Sequence, residues 1–170
     1  MKKLIAAVSC GLLIAGCCNE DFIIPESSGP ANDMRANAID ITSLFDAPNC
    51  PGANPIYTTE GSTPDGGIGS CWEDQRNAGD VWFKFTGQGP NGYFSVYIET
   101  AGPAGTQQAS QFILLDTDGA SELSCDGYNM NTEDIYDFSI VEVGVEYYFS
   151  VSVPAESNKG TFSMCVTTSD

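Results

Sequence analysis

An antiparallel, jelly-roll-like β-sandwich of about eight strands is the fold this sequence predicts, from three observations. From residue 38 onward, segment after segment alternates apolar and polar residues with period two. Clusters of Gly, Pro, Asn and Asp separate those segments, which is the spacing of turns between short strands. Beyond the first sixteen residues no window sustains a helical period. A sheet with one apolar face must bury that face against a second layer, so two packed sheets follow. A pair of four-stranded sheets is the expected form, with a closed barrel as the second arrangement.

The elements follow in order. Ala38-Ile39-Asp40-Ile41 is a short strand. Residues 46–79 lack periodicity, carry Gly66-Gly67 at their middle and read as one long loop. Asp80 to Thr86 sets Val81, Phe83 and Phe85 against Trp82, Lys84 and Thr86. The Gly-Gln-Gly-Pro-Asn-Gly run at 87–92 turns the chain, and Tyr93 to Glu99 returns with Phe94, Val96 and Ile98 on one face. Phe112-Ile113-Leu114-Leu115 is continuously apolar over a strand's length, as a strand buried on both faces would be. Asp116 to Gly119 turns, and Glu122 to Cys125 pairs back. Ile135 to Val143 places Tyr136, Phe138 and Ile140 together, Val145 to Val153 alternates throughout, and Gly160 to Thr167 ends the domain.

Composition narrows function. Of 170 residues, 6 are Lys or Arg and 23 are Asp or Glu, a net charge of −17. Such a surface repels nucleic acid and anionic headgroups. There is no His, which removes Ser-His-Asp and Cys-His catalysis and the usual zinc sites. Carboxylates such as Glu73, Asp74 and Asp80 are left for a glycoside-type hydrolysis, but no spacing selects a pair. No nucleophile elbow or phosphate-binding Gly-Lys-Ser/Thr is present. The expectation is a protein that is not an enzyme.

The start of the chain supplies an address. Met1-Lys2-Lys3 is positive, Leu4 to Ala15 is almost wholly apolar, and Ile14-Ala15-Gly16-Cys17 follows, with Glu20 and Asp21 just beyond. The apolar run is shorter than the roughly 20 residues of a transmembrane helix and fits an export leader. It resembles the leader and lipobox of bacterial lipoproteins. The resemblance implies cleavage after residue 16, lipidation of Cys17, and attachment to the outer membrane, exposed at the surface. Lys2 and Lys3 would leave with the leader, so four cations would face 23 acids, a net of −19. Residues 17–31, with Pro25, Gly29 and Pro30, read as a tether of about 45 Å when extended. Residues 32–170 are the sandwich domain.

A second resemblance lies in that domain. Asn32-Asp33 and Asn37-Ala38-Ile39 are followed by Asp80-Val81-Trp82-Phe83-Lys84-Phe85-Thr86. Phe112-Ile113-Leu114-Leu115-Asp116 then runs into Leu123-Ser124-Cys125-Asp126, Val143-Gly144-Val145-Glu146-Tyr147-Tyr148-Phe149 and finally Gly160-Thr161-Phe162. The order over residues 32–167 resembles the prepeptidase C-terminal domain of secreted bacterial proteins. Asp126-Gly127-Tyr128-Asn129 stands where members often carry Asn-Asp-Asp. The resemblance implies a jelly-roll-like, non-catalytic module linked to secretion or to binding polymers or proteins.

Candidate sites complete the reading. Cys50, Cys71, Cys125 and Cys165 are an even set in an exported body, so disulfides are expected, with Cys50–Cys71 and Cys125–Cys165 the favoured pairing of three. Asp116, Asp118, Asp126 and Asn129 are candidate calcium ligands, because hard oxygens suit that ion. Turn chemistry is the competing account of the same residues. No other cofactor is expected. Trp72, Tyr93, Tyr97 and Tyr128 are candidate aromatics for a sugar-binding platform, against the alternative of packing. The function expected is a membrane-anchored binding or adhesion module of the cell envelope. Its partners are the bilayer, through Cys17, and a polysaccharide or surface protein. An accessory subunit of an envelope complex is the alternative, and a small carboxylate hydrolase the second.

Overall fold

The computed structural model describes residues 29–46, 56–65, 69–72, 75–88, 94–99, 105–129, 133–138 and 141–168. Nine strands lie within them: β1 (Ile39–Asp40), β2 (Ile56–Thr58), β3 (Gly79–Thr86), β4 (Phe94–Glu99), β5 (Ser110–Leu115), β6 (Glu122–Asn129), β7 (Glu133–Phe138), β8 (Glu146–Val153) and β9 (Thr161–Thr168). They form a β-sandwich of two sheets, with strand orders β1-β3-β8-β5-β6 and β2-β9-β4-β7.

Period-two patterning decides which side chains meet between the sheets. Val81, Phe83 and Phe85 of β3, Val96 and Ile98 of β4, and Phe149 and Val151 of β8 all enter one core. Phe162, Met164 and Val166 of β9 close it from the opposite sheet. Phe149 is the hub of the five-stranded sheet's inner face. Its ring stacks on Phe83 at 5.2 Å and on Phe112 at 6.0 Å. Phe83 in turn meets Phe162 across the sandwich at 6.3 Å. Burying each such side chain contributes about 1.5–3 kcal/mol.

The expected four-plus-four division is corrected to five and four. One short edge strand, β2, makes the difference, and a second, β1, was expected. β1 joins β3 in parallel, the one parallel strand pair among the described residues. β2 lies inside the stretch expected to be loop and pairs with β9 through Ile56↔Ser163 and Thr58↔Thr161. Three residues are too few for alternation to register, and only the free edge of β9 makes them a strand. β6 runs on to Asn129 with two register shifts against β5, past the expected end at Cys125. β7 begins at Glu133 rather than Ile135. The strand expected over Ile135 to Val143 does not reach that end, where the chain turns instead, held by Val145 N–H to Glu142 O and Gly144 N–H to Gly87 O.

The disulfide pairing is also corrected. Cys71 is bonded to Cys125, with Cα atoms 5.9 Å apart. Cys125 lies on the outer face of the five-stranded sheet, opposite Ile113, where the 69–72 loop crosses. Cys165 is in β9, in the other sheet. A Cys125–Cys165 bond would have to span two layers about 10 Å apart, beyond the roughly 6.8 Å Cα separation a disulfide tolerates. Cys165 is itself disulfide-bonded. Cys50 lies outside the described residues.

Candidate functional site

The outer face of the five-stranded sheet carries a second, smaller apolar layer. Trp82 and Ile113 point there because their β3 and β5 neighbours point inward, and Trp72 and Leu115 join them. The continuous run of β5 is thus buried on both sides, as its composition requires. Trp72 is a correction to the expected platform. It is buried, and its indole Nε1–H donates to Phe112 O at 3.3 Å and Asp126 O at 3.0 Å. An aromatic in a loop can cover bare sheet as readily as it can face solvent, and here the disulfide beside it draws it down. Gly69 permits that approach: a methyl there would meet Cys125 Sγ, Trp72 Nε1 and Ile113 at 2.6–2.7 Å. Tyr93 lies outside the described residues, as do the side chains of Tyr97 and Tyr128.

Beside this layer, on the same face of β3, sits a buried carboxylate. Asp80 is fully enclosed. Three donors converge on it: Asn77 Nδ2 at 2.7 Å, Trp82 Nε1 at 3.1 Å and Asp65 N at 3.3 Å. Desolvation outweighs them and pushes its pKa up to about 6. Asn77 Oδ1 accepts from Gly79 N and Ser152 Oγ, which fixes the amide that faces Asp80.

Above the layer opens a cleft of about 420 Å³, walled by Met34, Arg35, Asp65, Asp118, Gly119 and Tyr148 among others. The Arg35 guanidinium lies 5.7 Å above the Trp82 ring. The 116–119 turn is also close to it: a methyl on Gly119 would stand 3.5 Å from the guanidinium. Arg35 N–H donates to Asp65 Oδ2 at 2.8 Å. Tyr148 hydroxyl donates to Glu146, which also pairs with Lys84 at 2.9 Å. Gly119 has φ +62°, where a side chain costs about 1–2 kcal/mol. Gly119→Ala should therefore lower unfolding stability by about 1 kcal/mol in a urea titration, and an unchanged midpoint would contradict the left-handed turn.

The calcium candidates do not come together. Asp118 accepts from Ala120 N, Ser121 N and Ser121 Oγ, and these turn bonds pull its pKa down. Asp116 accepts from Thr117 N. Asp126 pairs with Phe112, four residues along β5 from Asp116, or roughly 13 Å at strand rise. Asn129 pairs further away still, with Ser110, and its side chain is not described. Among the described residues no three acidic or Cys side chains are grouped to hold a metal. Turn chemistry accounts for Asp116 and Asp118.

Sequence reasoning did not single out Arg35, Asp65 or Tyr148. One signal was there to read: Arg35 is one of only four cations after Lys3.

No family model matches the chain. No curated protein matches it. Among solved structures it is similar to the pre-peptidase C-terminal domain of collagenase from Bacillus anthracis, with 11% identity and a TM-score of 0.38, over 76% of this chain and 93% of that one. It is also similar to the CBM51 of Clostridium perfringens GH95, solved with methyl-galactose, with 15% identity and a TM-score of 0.34, over 68% and 88% of the two chains. The sandwich architecture rests on the strand pairing described above.

Proposed function

We propose that this protein is a lipid-anchored, non-catalytic binding module of a bacterial cell envelope. Cys17 carries the lipid, the following residues form a tether, and the sandwich presents its cleft to a polysaccharide or surface protein outside the outer membrane. The cleft between Arg35, Asp65, Asp118 and Tyr148 carries this reading. It is a concavity with charged groups held in fixed positions over a stapled apolar layer, which is how binding sites are commonly built. The exposed large apolar residues among those described are three, Met34, Ile56 and Val143, on three separate segments of the chain.

Two observations weigh against a hydrolase. Asp80 has the raised pKa of a general acid but is sealed from any substrate. Asp118, which does line the cleft, has its pKa pulled down by its turn bonds, the opposite of what a general acid needs.

The binding role is tested by capture of glycans and of envelope proteins by the purified protein and its Arg35→Ala variant. Capture that Arg35→Ala abolishes is expected, and equal capture by both proteins would place the ligand elsewhere. The anchor is tested separately. Labelled palmitate should enter the wild-type protein and not Cys17→Ser, and label kept by that variant would remove the lipidation site.

A further inference from the structure

The cleft is small, and its charges alternate in sign. Arg35 offers only donors, and Asp65 and Asp118 offer only acceptors. An anionic ligand brought to Arg35 meets two carboxylates beside it. A cationic ligand brought to either carboxylate meets the guanidinium. Lys84, on the same sheet, is taken up by Glu146. A hydroxyl group meets no such conflict, because it donates to a carboxylate and accepts from a guanidinium at once. Two adjacent hydroxyls on a rigid ring match this fork with acceptors at its sides.

The groups are also preorganised. The Arg35 guanidinium stands over the Trp82 ring with the Gly119 turn close by, and these two neighbours narrow the side-chain freedom it has to lose on binding. Its planar fork presents parallel donors in a way that a lysine ammonium cannot. Asp118 is clamped by its turn, and one oxygen of Asp65 is already fixed by Arg35 N–H. Tyr148 and the exposed thioether of Met34 add apolar surface at the wall, suited to the C–H face of a sugar ring.

We infer that the ligand of this cleft is an uncharged glycan, recognised through vicinal hydroxyls by Arg35 with Asp65 and Asp118. The inference rests on the binding-module reading and goes beyond it in naming the ligand's chemistry.

The test is retention of the full chain, in detergent micelles, on immobilised polymers. Neutral hexose and pentose polymers are set beside uronic-acid, sulfated and amino-sugar polymers. Retention on at least one neutral polymer, little changed by added sodium chloride, is expected. Arg35→Ala should weaken it about tenfold or more, as loss of roughly 1.4 kcal/mol does. Arg35→Lys keeps the charge and packs in the same space, and should weaken it too. Equal melting temperatures of the variants would exclude misfolding as the cause. Retention only on charged polymers, falling with salt, would overturn the inference. So would Arg35-dependent capture of a protein with no neutral polymer retained, which leaves the binding-module reading standing. Neutral retention that both Arg35 variants preserve would overturn the inference and this cleft together, as would an absence of retention on every polymer.

Discussion

Replacing Cys71 and Cys125 together by serine should lower the unfolding free energy by about 4 kcal/mol. The bond joins residues 54 apart in sequence, and releasing a loop of that length returns on the order of 4 kcal/mol of chain entropy to the unfolded state. A domain of this size should then melt roughly 8–16 °C lower. The effect is not confined to the unfolded chain. The bond holds the 69–72 loop against the outer face, and Trp72 reaches its carbonyl partners on β5 and β6 only while that loop is down. Indole fluorescence should accordingly shift toward that of a solvated tryptophan before global unfolding. Denaturant titration with and without reductant checks the prediction. Coincident curves for oxidised, reduced and doubly substituted protein would show that packing alone seats the loop.

Lowering the pH from about 6 to about 4 should stabilise the protein, and Asp80 is the reason. Its carboxyl has a folded pKa of about 6 against an ordinary 3.8. Between those values the folded state binds the extra proton, so stability falls as pH rises through the window and is level above it. Two units correspond to about 3 kcal/mol. Asp65 faces Asp80 through its backbone N–H and adds a like charge, while Asn77 and Trp82 contribute neutral donors. Asp40 and Asp118 act in the opposite sense, because hydrogen bonds lower their pKa values. Their stabilisation is lost only as pH falls below the ordinary carboxylate range, so stability should peak near pH 4. Self-repulsion of an acidic chain slopes the same way as Asp80. The difference between wild type and Asp80→Asn isolates the one group. A slope between pH 4 and 6 that survives in Asp80→Asn would show that general charge repulsion carries it.

Both predictions concern what lies beneath the cleft. Trp82 donates to Asp80 and underlies Arg35, and Asp65 bonds to both Asp80 and Arg35. The groups that line the cleft therefore inherit their positions from a buried polar anchor and a disulfide-held layer. The stability of that anchor is part of the site's geometry.

The local pattern of the sequence determined a good deal. The all-β class, most strand positions and the core faces of β3, β4, β8 and β9 are legible because alternation belongs to a single strand and shows in it without reference to any neighbour. The two-sided burial of Phe112 to Leu115 was readable for the same reason, as its composition leaves no polar face. The tertiary structure alone decided what depends on which segments become neighbours. β2 is a strand because β9 offers an edge. Cys71 pairs with Cys125 because the 69–72 loop crosses β6, not because the two are near in sequence. Trp72 is covered, Asp80 is sealed in, and Arg35 meets Asp65 and Asp118 from segments thirty and more residues apart. Burial, pKa and cleft geometry are properties of that assembled neighbourhood, and no single stretch of chain contains them.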